Sequence, residues 1–187
     1  MSASATDTER ARGHHVLRHW PIALGLAAAA FQLATGVDRD SVAITVTVAT
    51  LCYLGAAATG RPWVAWAGVP AGSAVVVISE LASLTWWVGI GIAALALVVV
   101  GRFRGASRPV VTAQTLALVG YGGLAVAALF VAPRAGLALA GVALAAHAAW
   151  DLEHYRRDVV VPRSLSEFCM LLDVPLGVGA IVLAIVD

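Results

Sequence analysis

The chain has no lysine, so a retinal Schiff base cannot form and a rhodopsin is excluded. It has two cysteines, Cys52 and Cys169, in apolar surroundings and without a Cys-x-x-Cys spacing. Neither a disulfide framework nor a redox pair is implied, and both read as small buried hydrophobes. There is no H-E-x-x-H, no G-x-S-x-G and no phosphate-binding glycine loop, which removes the common membrane zinc proteases, serine hydrolases and ATP-driven pumps. The Asp-rich D-D-x-x-D or N-D-x-x-D pattern that holds magnesium diphosphate is also missing, which argues against a prenyltransferase. No internal repeat is visible, so inverted-repeat transporter logic gains no support. Charge is scarce at 12% of 187 residues, and a net charge of +1 gives no reason to expect nucleic acid.

What the chain has in abundance is apolar sequence: 60% hydrophobic residues, with a mean hydropathy of +0.88. Seven runs, at roughly 20–36, 42–59, 62–80, 84–101, 110–132, 135–154 and 165–186, are each apolar enough to cross a bilayer. At about 20 residues per crossing they use roughly 140 residues and leave no soluble domain. Threading the chain through in turn puts ten of the twelve arginines on one side, and only Arg39 and Arg134 on the other. Short Arg-rich loops stay cytoplasmic. The expected fold is therefore an all-α, polytopic bundle of seven transmembrane helices in the inner (plasma) membrane, with the N-terminus cytoplasmic and the C-terminus outside. Residues 1–19 read as a disordered tail and 20–187 as one membrane domain. Cleavage of the first run near Leu33 to Gly36 as a signal peptide is the alternative, leaving six helices.

Local signals agree with this count. Pro21, Pro62, Pro109 and Pro133 fall at or just before first turns, where a missing N–H costs nothing. Ser164 with Glu167 reads as a capping box, and Ser41 and Ser83 as caps. Glycines such as Gly120, Gly122 and Gly123 permit close helix packing in lipid.

Ionisable groups inside the membrane are costly and mark functional candidates. His147, Asp151 and His154 form H-x3-D-x2-H and fall at about 0°, 40° and −20° around a helix, on one stripe flanked by Trp150. Such donors suit a metal (His147, Asp151, His154), a proton relay or acid–base work; the plainer reading puts Asp151 and His154 among the headgroups. Asp173 lies roughly 13 Å along its helix from the start, beyond headgroup reach, with Pro175 bending the helix beside it. Ser166, Cys169 and Met170 share its face. Glu80 closes the third run, either at the interface beside an aromatic belt of Trp86 and Trp87 or facing inward on a stripe with Trp66 and Ser73. His14, His15 and His19 read as a solvated cluster, with metal binding as the alternative. Gln32, Thr112 and Gln114 could line a cavity.

Burial in oil favours the neutral form of a carboxyl group, which can then give up a proton. Aromatic faces such as Trp66, Trp86, Trp87 and Trp150, with Met170, would bind an apolar substrate and stabilise a carbocation. Through its helix count, its size and the acids Glu80 and Asp173, the chain resembles the integral-membrane terpene cyclases. That resemblance implies an isoprenoid or other apolar lipid substrate, cyclisation or isomerisation started by acidic residues, and no cofactor. Asp173, Glu80, Asp151 and His147 are the candidate catalytic residues. Two readings from other classes remain, a proton- or metal-ion-coupled transporter using the same residues and a non-catalytic membrane subunit. Oligomeric state is not legible.

Overall fold

The computed structural model describes residues 19–186, and these are all-α. The tail residues His14 and His15, and the arginines before His19, lie outside the described residues. The helices are α1 (Trp20–Thr35), α2 (Arg39–Thr59), α3 (Val64–Leu81), α4 (Trp86–Phe103), α5 (Arg108–Ala128), α6 (Pro133–Arg157) and α7 (Arg163–Val186). All seven apolar runs become helices, and six of them, α2 to α7, are long and apolar enough to cross a membrane. The 16 residues of α1 extend only about 24 Å, short of a hydrocarbon core of about 30 Å.

Burial is distributed very unequally. In α2, 83% of the most apolar window is buried, against 22% in α3 and 17% in α4. The small residues of Gly55–Ala58 and the Thr and Val positions before them let neighbours close around α2 on every side, so it is the axis of the bundle. The outer faces carry Phe31, Ile92, Leu95, Phe103, Leu116 and Ile185 in the open. An apolar exterior of this extent suits lipid rather than water. The chain is a multi-pass membrane protein.

The most extensive helix pairing is that of α6 with α7. At its crossing, a Cβ added to Gly141 would lie 2.7 Å from the Gly177 carbonyl oxygen, and one added to Gly177 would lie 2.7 Å from that of Gly141. Only glycine on both sides permits this separation. α1 lies on α7 through its small face of Pro21, Gly25 and Ala29.

Helix starts follow the expected chemistry in part. Pro21, Pro109 and Pro133 occupy first turns. Ser41 belongs to a capping box in which Asp38 is the cap, with Ser41 N–H donating to Asp38 Oδ1 at 2.8 Å and Asp38 N–H to Ser41 Oγ at 3.1 Å. The box expected at Ser164 and Glu167 does not form. α7 begins at Arg163, placing Ser164 inside the first turn, where its hydroxyl accepts from Trp66 Nε1 at 3.0 Å. Ser83 does not cap α4 either, since Thr85 holds that position without a side-chain bond. Within α5, residues Leu118–Gly122 form a π-helical turn, a widening that often marks functional positions.

Candidate functional site

The glycine crossing brings α6 and α7 close enough for side chains one to two turns away to bond across the gap. His147 and Asp151 on α6 and Asp173 on α7 meet there, each with no exposed surface. His147 Nδ1 lies 2.8 Å from Asp173 Oδ2 and 3.4 Å from Asp151 Oδ2. The carboxylate accepts, so Nδ1–H donates to Asp173, and in the neutral ring Nε2 carries a lone pair. α2 closes the third side. Tyr53 Oη donates to Asp151 Oδ1 at 2.6 Å and, having spent its one hydrogen, accepts from Ser166 Oγ at 3.2 Å. The Tyr53 ring stands edge-on to His147 at 5.7 Å and to His154 at 4.9 Å. Tyr121, carried by the π turn of α5, meets His147 from another side at 5.3 Å.

Three polar atoms in this centre are buried without a hydrogen-bond partner: His147 Nε2, Asp151 Oδ2 and Asp173 Oδ1. A buried polar group left unpaired costs about 1–3 kcal/mol. Among the described residues, neither carboxylate has an arginine partner; the only ion-pair contacts of Asp151 and Asp173 are to His147. The arrangement is therefore electrostatically incomplete.

His154 takes a different role from the one its spacing suggested. Its Nδ1–H donates to the Trp150 carbonyl at 2.8 Å, leaving Nε2 to accept from Gln114 Nε2 at 2.9 Å. Gln114 Oε1 in turn accepts from Trp150 Nε1 at 3.0 Å. This closed ring of bonds occupies both imidazole nitrogens, and the donors that lie close enough together to hold a metal are His147, Asp151 and Asp173 rather than His147, Asp151 and His154. Trp150, Gln114 and His154 form one wall of an open cleft of about 320 Å³ that also includes Glu153 and Arg157.

The remaining candidates are dispersed. Glu80 is exposed near the end of α3 and has no side-chain hydrogen bond or ion pair among the described residues. It is not part of the buried centre. Trp86 is packed at the start of α4, its Nε1 3.4 Å from Asp40 Oδ1, and Trp87 stands edge-on to Phe130 at 6.4 Å. These two belong to the helix ends, as an aromatic belt would. Trp66 packs against Trp20 at 5.0 Å and Phe168 at 5.3 Å, near the start of α7. Met170 is half-buried on α7.

A second cleft of about 230 Å³ runs between α1, α2, α3 and α7, with Val48, Phe168 and Leu172 as apolar wall and Gln32, Cys52 and Cys169 among its lining. Cys169, fully buried, is within electrostatic reach of both Asp151 and Asp173.

Sequence reasoning missed Tyr53 and Tyr121. Tyr53 is the only aromatic residue of α2, and a phenol hydroxyl too far from its own helix backbone to bond there needs a polar partner when buried. Tyr121 sits in the run Gly120 to Gly123, whose glycines read as packing residues although they also permit the π turn. Tyr53→Phe removes the donor to Asp151 Oδ1 and leaves that carboxylate with both oxygens unpaired. We expect it to lower unfolding stability by about 1–3 kcal/mol, measured by denaturant unfolding in detergent micelles with tryptophan fluorescence.

No protein-family model matches the chain, and comparison with curated proteins and with solved structures gives no match either.

Proposed function

We propose that the protein is a membrane-embedded enzyme that moves a proton on an apolar lipid or isoprenoid substrate, in an isomerisation or cyclisation, with His147, Asp151 and Asp173 as the reactive centre. The observation that carries this reading is the incomplete polar centre itself. Two carboxylates and an imidazole are held wholly buried with three atoms unpartnered, and Cys169, which lines an apolar cleft, is within electrostatic reach of both carboxylates. Ionisable groups in lipid are costly, and a tether between α6 and α7 would need no third member and no orphaned atoms. The cleft suits the hydrocarbon part of a substrate, and Phe168 supplies an aromatic face at its α7 side. The proposal keeps Asp173 from the likeness to integral-membrane terpene cyclases and leaves out the exposed Glu80. The arginine asymmetry supports a cytoplasmic N-terminal tail, with the Arg-rich connections on the same side and the bundle in the plasma membrane.

The test is proton incorporation. Full-length protein in lipid nanodiscs is incubated in deuterated water with linear isoprenoid alcohols and olefins, and products are examined by mass spectrometry. Deuterium-labelled isomers or cyclic products are expected from the wild type, falling by a factor of about 10²–10⁴ in Asp173→Asn, the range of a lost general acid. Equal label in protein-free nanodiscs, or undiminished turnover by Asp173→Asn, overturns the proposal. Ion or proton flux in proteoliposomes without labelled product would favour the transporter reading instead.

A further inference from the structure

From the geometry of the centre we infer that His147, Asp151 and Asp173 bind one divalent first-row transition ion. The inference rests on the reading above only for where the chemistry takes place; binding itself is argued from the donor atoms. His147 Nδ1 is 2.8 Å from Asp173 Oδ2 and 3.4 Å from Asp151 Oδ2. Donor atoms around an ion at bond lengths of 2.0–2.2 Å lie about 2.9–3.5 Å apart at adjacent positions and about 4.2 Å apart at opposite ones. The three ligand atoms all lie within 4.8 Å of one another, so the widest edge must close by at most about 0.6 Å if its atoms take opposite positions and by at most about 1.3–1.9 Å if they take adjacent ones, movements within reach of side-chain rotation.

Charge and hydrogen bonding point the same way. In the form that binds an ion, both carboxylates are deprotonated and the imidazole is neutral, a set with two negative charges that no arginine of the described residues pairs with. A divalent ion balances that charge, and buried charges that lack a partner are otherwise prohibitively costly. Coordination engages Asp151 Oδ2, which is fully buried, has no hydrogen bond and is directed towards His147 Nδ1. Asp173 Oδ1, also unpartnered, is available as a second oxygen from the same carboxylate. The imidazole proton moves from Nδ1 to Nε2 when Nδ1 becomes the ligand. Tyr53 then has the place of an outer partner, its hydroxyl fixing Asp151 through Oδ1 while Ser166 fixes Tyr53. The imidazole selects zinc, iron or similar ions over magnesium and calcium, which prefer all-oxygen sites.

The experiment uses full-length protein in nanodiscs, produced without a histidine tag and with His14 and His15 replaced by alanine, so that tail imidazoles do not compete. After stripping with chelator, Co²⁺ is titrated and followed by its visible absorption and by elemental analysis, with Zn²⁺ as competitor. One ion per chain is expected, with binding lost in Asp173→Asn and His147→Gln and weakened about 10–100-fold in Tyr53→Phe. X-ray absorption of the zinc-loaded parent protein, which needs no variant of the centre to fold, is expected to give one imidazole with oxygen donors. Absence of stoichiometric binding, binding that survives His147→Gln, or a sulfur ligand from Cys169 overturns the site. Labelled product from protein that takes up neither Co²⁺ nor Zn²⁺ defeats the metal site while leaving the proton-transfer proposal standing. A bound ion with no product in any preparation does the reverse.

Discussion

Asp173→Ala is expected to destabilise the bundle by about 1–3 kcal/mol, because it leaves the His147 Nδ1–H without its 2.8 Å acceptor in a site closed to water. Replacing His147, Asp151 and Asp173 together by leucine has a different expected result. The ions are then gone as a set, Tyr53 retains Ser166 as a partner at 3.2 Å, and stability stays level or rises by about 1–4 kcal/mol. Reversible unfolding in mixed micelles measures both variants. A triple variant that is stable but without labelled product identifies the centre as chemistry held at the expense of stability. If the triple variant unfolds as readily as Asp173→Ala, the three residues are a structural tether, and the catalytic proposal falls.

Gly177→Val has the second large effect. A Cβ at Gly177 would lie 2.7 Å from the Gly141 carbonyl oxygen and 2.8 Å from the Ala145 backbone nitrogen, atoms of a rigid helix that cannot turn aside. α7 must move away from α6, with an overpacking cost of about 1–3 kcal/mol or more. The movement also lengthens the His147–Asp173 bond, since Asp173 is one turn from Gly177 on the same helix. A loss of thermal stability and of labelled product together is expected. Val178→Leu, at an exposed position of the neighbouring residue, serves as the control and is expected to leave both unchanged. Full activity in Gly177→Val would mean that the close crossing does not position the centre.

The architecture was legible because lipid imposes simple demands. Runs of apolar residues near 20 long, proline at first turns and arginine in alternate connections identify helices without knowledge of their neighbours. Length was less secure for α1, where Gly36 and the turn before Asp38 end the helix at 16 residues. The expected cap at Ser164 failed because Trp66, nearly a hundred residues away in sequence, takes that hydroxyl. The site was legible in the same uneven way. Helical spacing put His147 and Asp151 on one stripe, and depth marked Asp173 as unusual. That Asp173 rather than His154 completes the group depends on which helix faces α6, and spacing within α6 holds no information on that. His154 satisfied the periodicity but is consumed by Gln114 and Trp150. Tyr53 and Tyr121 carry no charge at neutral pH and so gave no hydropathy signal, although one holds Asp151 and the other packs on His147.

The hairpin of α6 and α7, joined by the short stretch 158–162, bears on biogenesis. Asp151 has His147 on its own helix, but Asp173 would meet hydrocarbon unaccompanied if α7 entered the bilayer alone. The two segments therefore favour leaving the translocon as a pair, with the histidine already between the acids. A ribosome stalled after α6 would release a product with His147 and Asp151 facing lipid, a ready substrate for membrane quality control.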